Sequence, residues 1–117
     1  MLGVSRAAES RGYCTAHSAD GLNWQLYDAN PVLNGGDTYC LARDPATGNY
    51  LAFHKRYGMH RGYHRCLVYL ASSSDMQTWS EPALVMAPDE IDDAQTKTEG
   101  GRFSQFYNMS VFPYGGM

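Results

Sequence analysis

The sequence predicts an all-β chain of short antiparallel strands, and three observations predict it. Nine Tyr, four Phe and two Trp stand among 117 residues, and flat side chains suit a pleated surface better than a helix. Twelve Gly and five Pro supply punctuation for many short strands. A turn motif recurs: Ser18-Ala19-Asp20-Gly21-Leu22-Asn23-Trp24 matches Ser73-Ser74-Asp75-Met76-Gln77-Thr78-Trp79 as S-x-D-x-x-x-W, at a constant offset of 55 residues.

The elements follow from the repeat. Each copy of the motif comes after a strand-like run, Tyr13 to His17 and Cys66 to Ser72, and before a proline and a short apolar run, Pro31-Val32-Leu33 and Pro82 to Met86. Within the motif the Asp carboxylate accepts from turn N–H groups, the Ser adds a local bond, and the Trp packs its face on the strands it closes. Trp24 and Trp79 are therefore expected in equivalent, largely buried positions. Between the copies, residues 38–42 read as a first strand and Asp44 to Asn49 as a turn with Pro45 and Gly48. Residues 50–54, 65–72 and 83–86 read as the second, third and fourth strands.

Four antiparallel strands per repeat of this length is the pattern of a β-propeller blade. The chain then divides into the end of one blade (1–34) and a complete blade (35–86, with its strands within about 37–86). A long connecting loop (87–105) leads to the start of a next blade (106–117), with a strand near 106–112. The next hairpin is due at Tyr114 to Met117. The pattern predicts a propeller fragment, a piece of a longer protein whose remaining blades are its first partners.

Composition removes several function classes. A net charge of −3 gives no reason to expect nucleic acid. No apolar run approaches the roughly 18 residues of a membrane helix, and residues 1–12 lack the layout of a signal peptide, so the sequence gives no address. Cys14, Cys40 and Cys66 are odd in number and not at CxxC spacing, which argues for buried thiols over a zinc knuckle. No cofactor is implied.

Chemistry is expected at one end of the blade. Antiparallel order gathers Gly35-Gly36-Asp37, the segment His54 to His64 and the connection Ala87 to Gln105 at one end, and the repeated turns at the other. The segment 54–64 carries His54, Lys55, Arg56, Arg61 and several Tyr, and reads as a ligand-facing rim or a solvated loop. His60-x-x-x-His64 has the spacing of a helix-face metal pair, but Gly58 and Gly62 argue against a helix, so no metal site is expected. In the connection, Asp89, Glu90, Asp92, Asp93 and Glu99 read mainly as solvated acids, with Glu99 the candidate to approach a pocket.

The S-x-D-x-x-x-W turns, Gly35-Gly36-Asp37, Asp44-Pro45-x-Thr47-Gly48-x-Tyr50, Trp79-Ser-Glu-Pro82, Ala87-Pro88-Asp89-Glu90 and Tyr107-Asn-Met-Ser-Val-Phe-Pro113 together resemble the five-bladed propeller superfamily of invertase-like and arabinanase-like glycoside hydrolases. The resemblance spans about residues 13–117. It implies action on glycosidic bonds by carboxylates at inner strand ends around a central pocket. Asp37 then reads as nucleophile, base or pKa-tuning carboxylate; as an Asx cap on the strand entry it would be structural, and the sequence leaves both open. His54 and Arg56, with Tyr107 and Asn108 of the next blade, are the expected carbohydrate-contacting residues around the same pocket. A non-catalytic sugar-binding or scaffold propeller is the alternative. A sialidase-like hydrolase is another, and would draw on Arg56, Arg61 and Arg102.

Overall fold

The structure, a computed structural model, describes residues 2–5 as backbone and residues 12–114 in full. The described residues are mostly β, with two antiparallel sheets and one helix among them. The first sheet holds β1 (Leu2–Ser5), β2 (Gly12–His17) and β3 (Gln25–Leu26), in that order. The second is a meander of β4 (Tyr39–Arg43), β5 (Tyr50–His60), β6 (Tyr63–Ser73) and β7 (Ala83–Met86). All four expected strands of the central unit are present and pair in the expected order. The hairpin expected beyond Tyr114 lies outside the described residues.

The repeated turn has the same Ser, Asp and Trp hydrogen bonds in both copies. Asp20 Oδ1 accepts from the Leu22 and Asn23 N–H groups, both at 2.8 Å. Asp75 Oδ1 accepts from Gln77 and Thr78 at the same distances. Ser18 and Ser73 donate to those carboxylates and accept from the N–H three residues on. Gly21 and Met76 both stand at positive φ, 76° and 66°. The indoles of Trp24 and Trp79 donate to the Gly21 and Met76 carbonyls. Burial separates the copies. Trp79 packs on the core, whereas Trp24 is 46% exposed, because β3 is only two residues long and offers the indole little to cover.

Side chains along β5 alternate between two faces. One face presents Ala52 and His54, and it packs on Tyr13 of the first sheet and on Leu33, which is bridged to Tyr13, with Ala71, Tyr39, Leu41 and Trp79 around them. The other presents Phe53, Lys55 and Tyr57 together with Cys40 and Cys66, which register places opposite Phe53 and Tyr57. Chain segment 105–111 crosses this second face. It starts at the β6 edge, where the Phe106 N–H donates to the Cys66 carbonyl. It ends over β4, where the Val111 N–H donates to Cys40 Sγ at 3.2 Å.

Three expectations are corrected. Residues 106–112 form no strand: their bonds go to side chains and single carbonyls, such as Thr38 Oγ1 donating to the Tyr107 carbonyl, and not to a ladder. The segment 54–64 is no loop. β5 and β6 run on to a two-residue turn at Arg61-Gly62, where φ values of 51° and 78° give the twist that a tight hairpin needs.

The connection 87–105 contains a helix, α1 (Glu90–Thr98). Asp89 caps its N-terminus in a reciprocal box with Asp92. Gly100 at φ 84° and Gly101 close its other end on the Lys97 and Thr96 carbonyls.

Candidate functional site

Asp37 is the residue around which the described chemistry collects. Two glycines precede it, and the structure gives each a reason. A Cβ on Gly35 would lie 1.9 Å from the Tyr13 ring, and one on Gly36 would lie 2.5 Å from Lys55 Cε. The glycines let the chain pass close over Tyr13 and over the stem of Lys55. Gly36 N–H then donates to the Lys55 carbonyl at 3.0 Å, and Lys55 N–H to the Thr38 carbonyl at 3.1 Å. Asp37 is thereby fixed beside β5, ahead of β4.

Its carboxylate has two partners. Lys55 Nζ lies 2.5 Å from Oδ1, and the Tyr107 hydroxyl donates to Oδ2 at 3.0 Å. The Lys55 side chain is 2% exposed and that of Asp37 is 43% exposed. The ammonium also sits 3.7 Å from the centroid of the Tyr107 ring and 5.2 Å from that of Tyr57, where the ring quadrupole favours a cation.

Electrostatics follow from these contacts. The bond from Lys55, then that from Tyr107, holds the Asp37 carboxyl below the usual carboxylate range. Burial opposes the charge on Lys55, yet its bonds to Asp37 and Tyr107 raise it above the ordinary lysine range. Burial first, and then the Asp37 charge, pushes the Tyr13 phenol up to about 12. The site is an ionised carboxylate, half open to solvent, over a buried cation and between phenol rings.

The other expected site residues separate. Tyr107 joins Asp37 directly. His54 lies on the opposite face of β5 from Lys55, buried against the edge of Tyr13 at 5.3 Å between centroids. Arg56 is on that face too, its guanidinium 5.2 Å over Tyr69. Asn108 is exposed beside Tyr107. Within the described residues, Asp37 and Tyr107 form one cluster, and His54 and Arg56 belong to another surface. The hairpin tip projects roughly 20 Å past Lys55 at about 3.4 Å per residue, so it does not form a rim level with Asp37.

His60 and His64 fall on opposite faces of the hairpin, His64 opposite Met59 and His60 opposite Tyr63. The His60 ring bonds the Pro88 carbonyl at 2.9 Å, and the His64 ring stacks on Tyr57 at 5.9 Å and 6°. Among the described residues no group of three or more His, Cys, Asp or Glu is arranged to hold a metal.

Two residues carry weight that sequence reasoning did not give them. By sequence alone Lys55 falls within a loop rim. Extending the 50–54 strand by one step would have set it on the same face as Leu51 and Phe53, an inward lysine in need of a counter-charge. By sequence alone Asp93 reads as a solvated acid, yet it is buried, and it pairs with Arg65 at 2.8 Å and with Arg61 at 3.2 Å. Arg65 is fully buried beside the Tyr63 and Phe103 rings, which stack on each other at 4.7 Å between centroids. This pair fastens α1 to the hairpin. Glu99 is the C-cap of that helix and is exposed.

A recess of about 220 Å³ lies at the other end of the first sheet, lined by His17, Ser18, Asp20, Asn23 and Gln25. Those residues serve the repeated turn. Comparison with family models, with curated proteins and with solved structures finds no match.

Proposed function

We propose that the chain is one four-stranded blade, with parts of its two neighbours, of a five-bladed β-propeller that acts on glycosidic bonds within a longer protein. Layering supports the architectural half. The meander β4–β7 carries the first sheet on one face and segment 105–111 on the other, as a blade does between its neighbours. The functional half rests on one observation, the Asp37 carboxylate, held ionised by Lys55 and Tyr107 while 43% exposed. Such a group is acceptor-only and suits a nucleophile, a base or a charge that tunes a neighbour; it does not suit a general acid. The proton donor of a glycosidase would then come from another blade, since the chemistry needs two carboxylates flanking the bond.

A second reading has its own observation. The residue bonded to Asp37 from the neighbouring segment is Tyr107, not an acid. This favours a propeller that binds carbohydrate without cleaving it, with Tyr107 and Tyr57, both more than half exposed, as faces on which sugar rings stack. Cleavage of a glycoside by the full reading frame separates the two readings, and Asp37→Asn then tests the part Asp37 plays. Loss of a charged nucleophile or base should lower glycoside turnover by about 100-fold or more, with the fold intact by circular dichroism. Unchanged turnover on a glycoside that the parent cleaves would remove Asp37 from the chemistry.

A further inference from the structure

Lys55 is an unusual occupant of its position. It stands in the middle of an 11-residue strand, on a sheet face shared with Phe53, Tyr57, Cys40, Cys66 and Val68, and its side chain is 2% exposed. An ammonium so placed is costly unless a counter-charge is supplied. The supply here is specific. Asp37 is brought in by two glycines whose missing side chains make room for Tyr13 and for the Lys55 stem. Tyr107 covers the ammonium with its ring and bonds the second carboxylate oxygen with its hydroxyl. Thr38, next to Asp37, holds the Tyr107 carbonyl at 3.0 Å.

We propose that Lys55 is the positioning residue of this site: it fixes the Asp37 carboxylate in one orientation, with Oδ1 occupied from beneath and its remaining lone pairs turned to the open side. This role rests on the functional reading of Asp37 above. Each carboxylate oxygen has about two acceptor positions. Lys55 takes one on Oδ1 and Tyr107 one on Oδ2, so one on each oxygen stays available to a hydroxyl-bearing ligand. A lone surface aspartate would rotate and would share its charge with water. Clamped over a buried ammonium, Asp37 keeps one geometry and stays ionised.

The groups facing the pair make its titration readable. They are Tyr13 from β2, Tyr57 from β5 and Tyr107 from the crossing segment, with Cys66 of β6 behind Tyr57. Phenols and thiols ordinarily titrate well above carboxylates, so in acid the Asp37–Lys55 pair responds to its own proton.

The test follows the Asp37 side-chain carboxyl carbon by NMR titration in the chain and in three variants. Lys55→Met should raise the Asp37 titration by at least about one pH unit, a tenfold change in proton affinity. Lys55→Arg should restore most of the wild-type value, and Tyr107→Phe should give a smaller rise. An unchanged Asp37 titration in folded Lys55→Met would overturn the proposal. So would failure of the arginine variant to restore it, because a merely space-filling role has no need of the charge.

If Lys55→Met does not fold, the reciprocal variant decides. Asp37→Asn keeps the shape and removes the counter-charge, so Lys55 Cε should titrate at least about one pH unit lower than in the wild type; no change would overturn the coupling. The readout is independent of turnover. An inactive protein with this coupling intact would sink the glycosidase reading alone, and an active one without it would sink the positioning role alone.

Discussion

His54 shows what a single buried ring contributes to behaviour in acid. It is 1% exposed, and neither ring nitrogen finds a hydrogen-bond partner among the described residues. Burial, and then the charge of Arg56, lowers its pKa from 6.5 to about 4. The unfolded chain therefore binds this proton at higher pH than the folded one. Its contribution to stability is full above about pH 6.5 and is lost as pH falls toward 4, on the order of 3 kcal/mol in all at about 1.36 kcal/mol per pH unit. Asp20, Asp37, Asp44, Asp75 and Asp93 are shifted the other way, below the ordinary carboxylate value. Their stabilisation is lost mainly as pH falls below the ordinary carboxylate value of 3.8, so the two windows meet at the lower end of the His54 range. Unfolding midpoints measured between pH 4 and 6.5 should fall with pH in the wild type and flatten in His54→Phe. An equal slope in both would mean that His54 is not the group being protonated.

At the scale of elements, the two turn copies form a controlled comparison. They share the Ser, Asp and Trp hydrogen bonds, but only Trp79 is packed against the core cluster, while Trp24 is nearly half exposed. A fully packed Trp truncated to Ala costs about 3–5 kcal/mol. Trp79 is partly buried, so about 2–3 kcal/mol is expected for Trp79→Ala, and about 1 kcal/mol or less for Trp24→Ala. Denaturant unfolding of both variants checks this, and equal losses would contradict the packing difference.

Why one was foreseen and the other not is physical. The turn itself is local, made of side chains reaching their own backbone, so seven residues suffice to specify it. Burial depends on what the flanking strands provide, and β3 provides little. Helix α1 escaped for a related reason. Its run from Glu90 to Thr98 has little apolar periodicity, and its larger apolar residue, Ile91, is 71% exposed. The helix is held by caps and by buried Asp93 on Arg65, which an apolar pattern does not reveal. The hairpin extension over 54–64 was hidden by its Gly, Lys, Arg and His content, which resembles a loop until alternation is followed through it.

For the whole molecule, the strands of the central sheet, their order and the end at which unrepeated segments gather were all legible, because each depends on turn chemistry and antiparallel sequence order. The site was half legible. Asp37 stood out by its glycines and Tyr107 by its place in the next segment, and they meet. His54 and Arg56 were drawn into the same cluster by nearness in sequence, but strand alternation sends them to the other face from Lys55. The radius of gyration, 16.3 Å, exceeds the roughly 13 Å of a compact domain of this length. β7 leaves Leu84, Val85 and Met86 between 38% and 46% exposed. Both features fit a sheet that packs against further layers, as the propeller proposal requires.

Carbohydrate is proposed to engage the face on which Asp37, Lys55 and Tyr107 meet. Amide chemical-shift mapping of the labelled chain, titrated with a panel of oligosaccharides, tests it most directly. Saturable shifts should be confined to residues 36–38, 55–57 and 105–109, and should be lost in Asp37→Asn. Shifts at the recess lined by His17, Asp20 and Gln25, or no saturable shifts with any sugar, would contradict it.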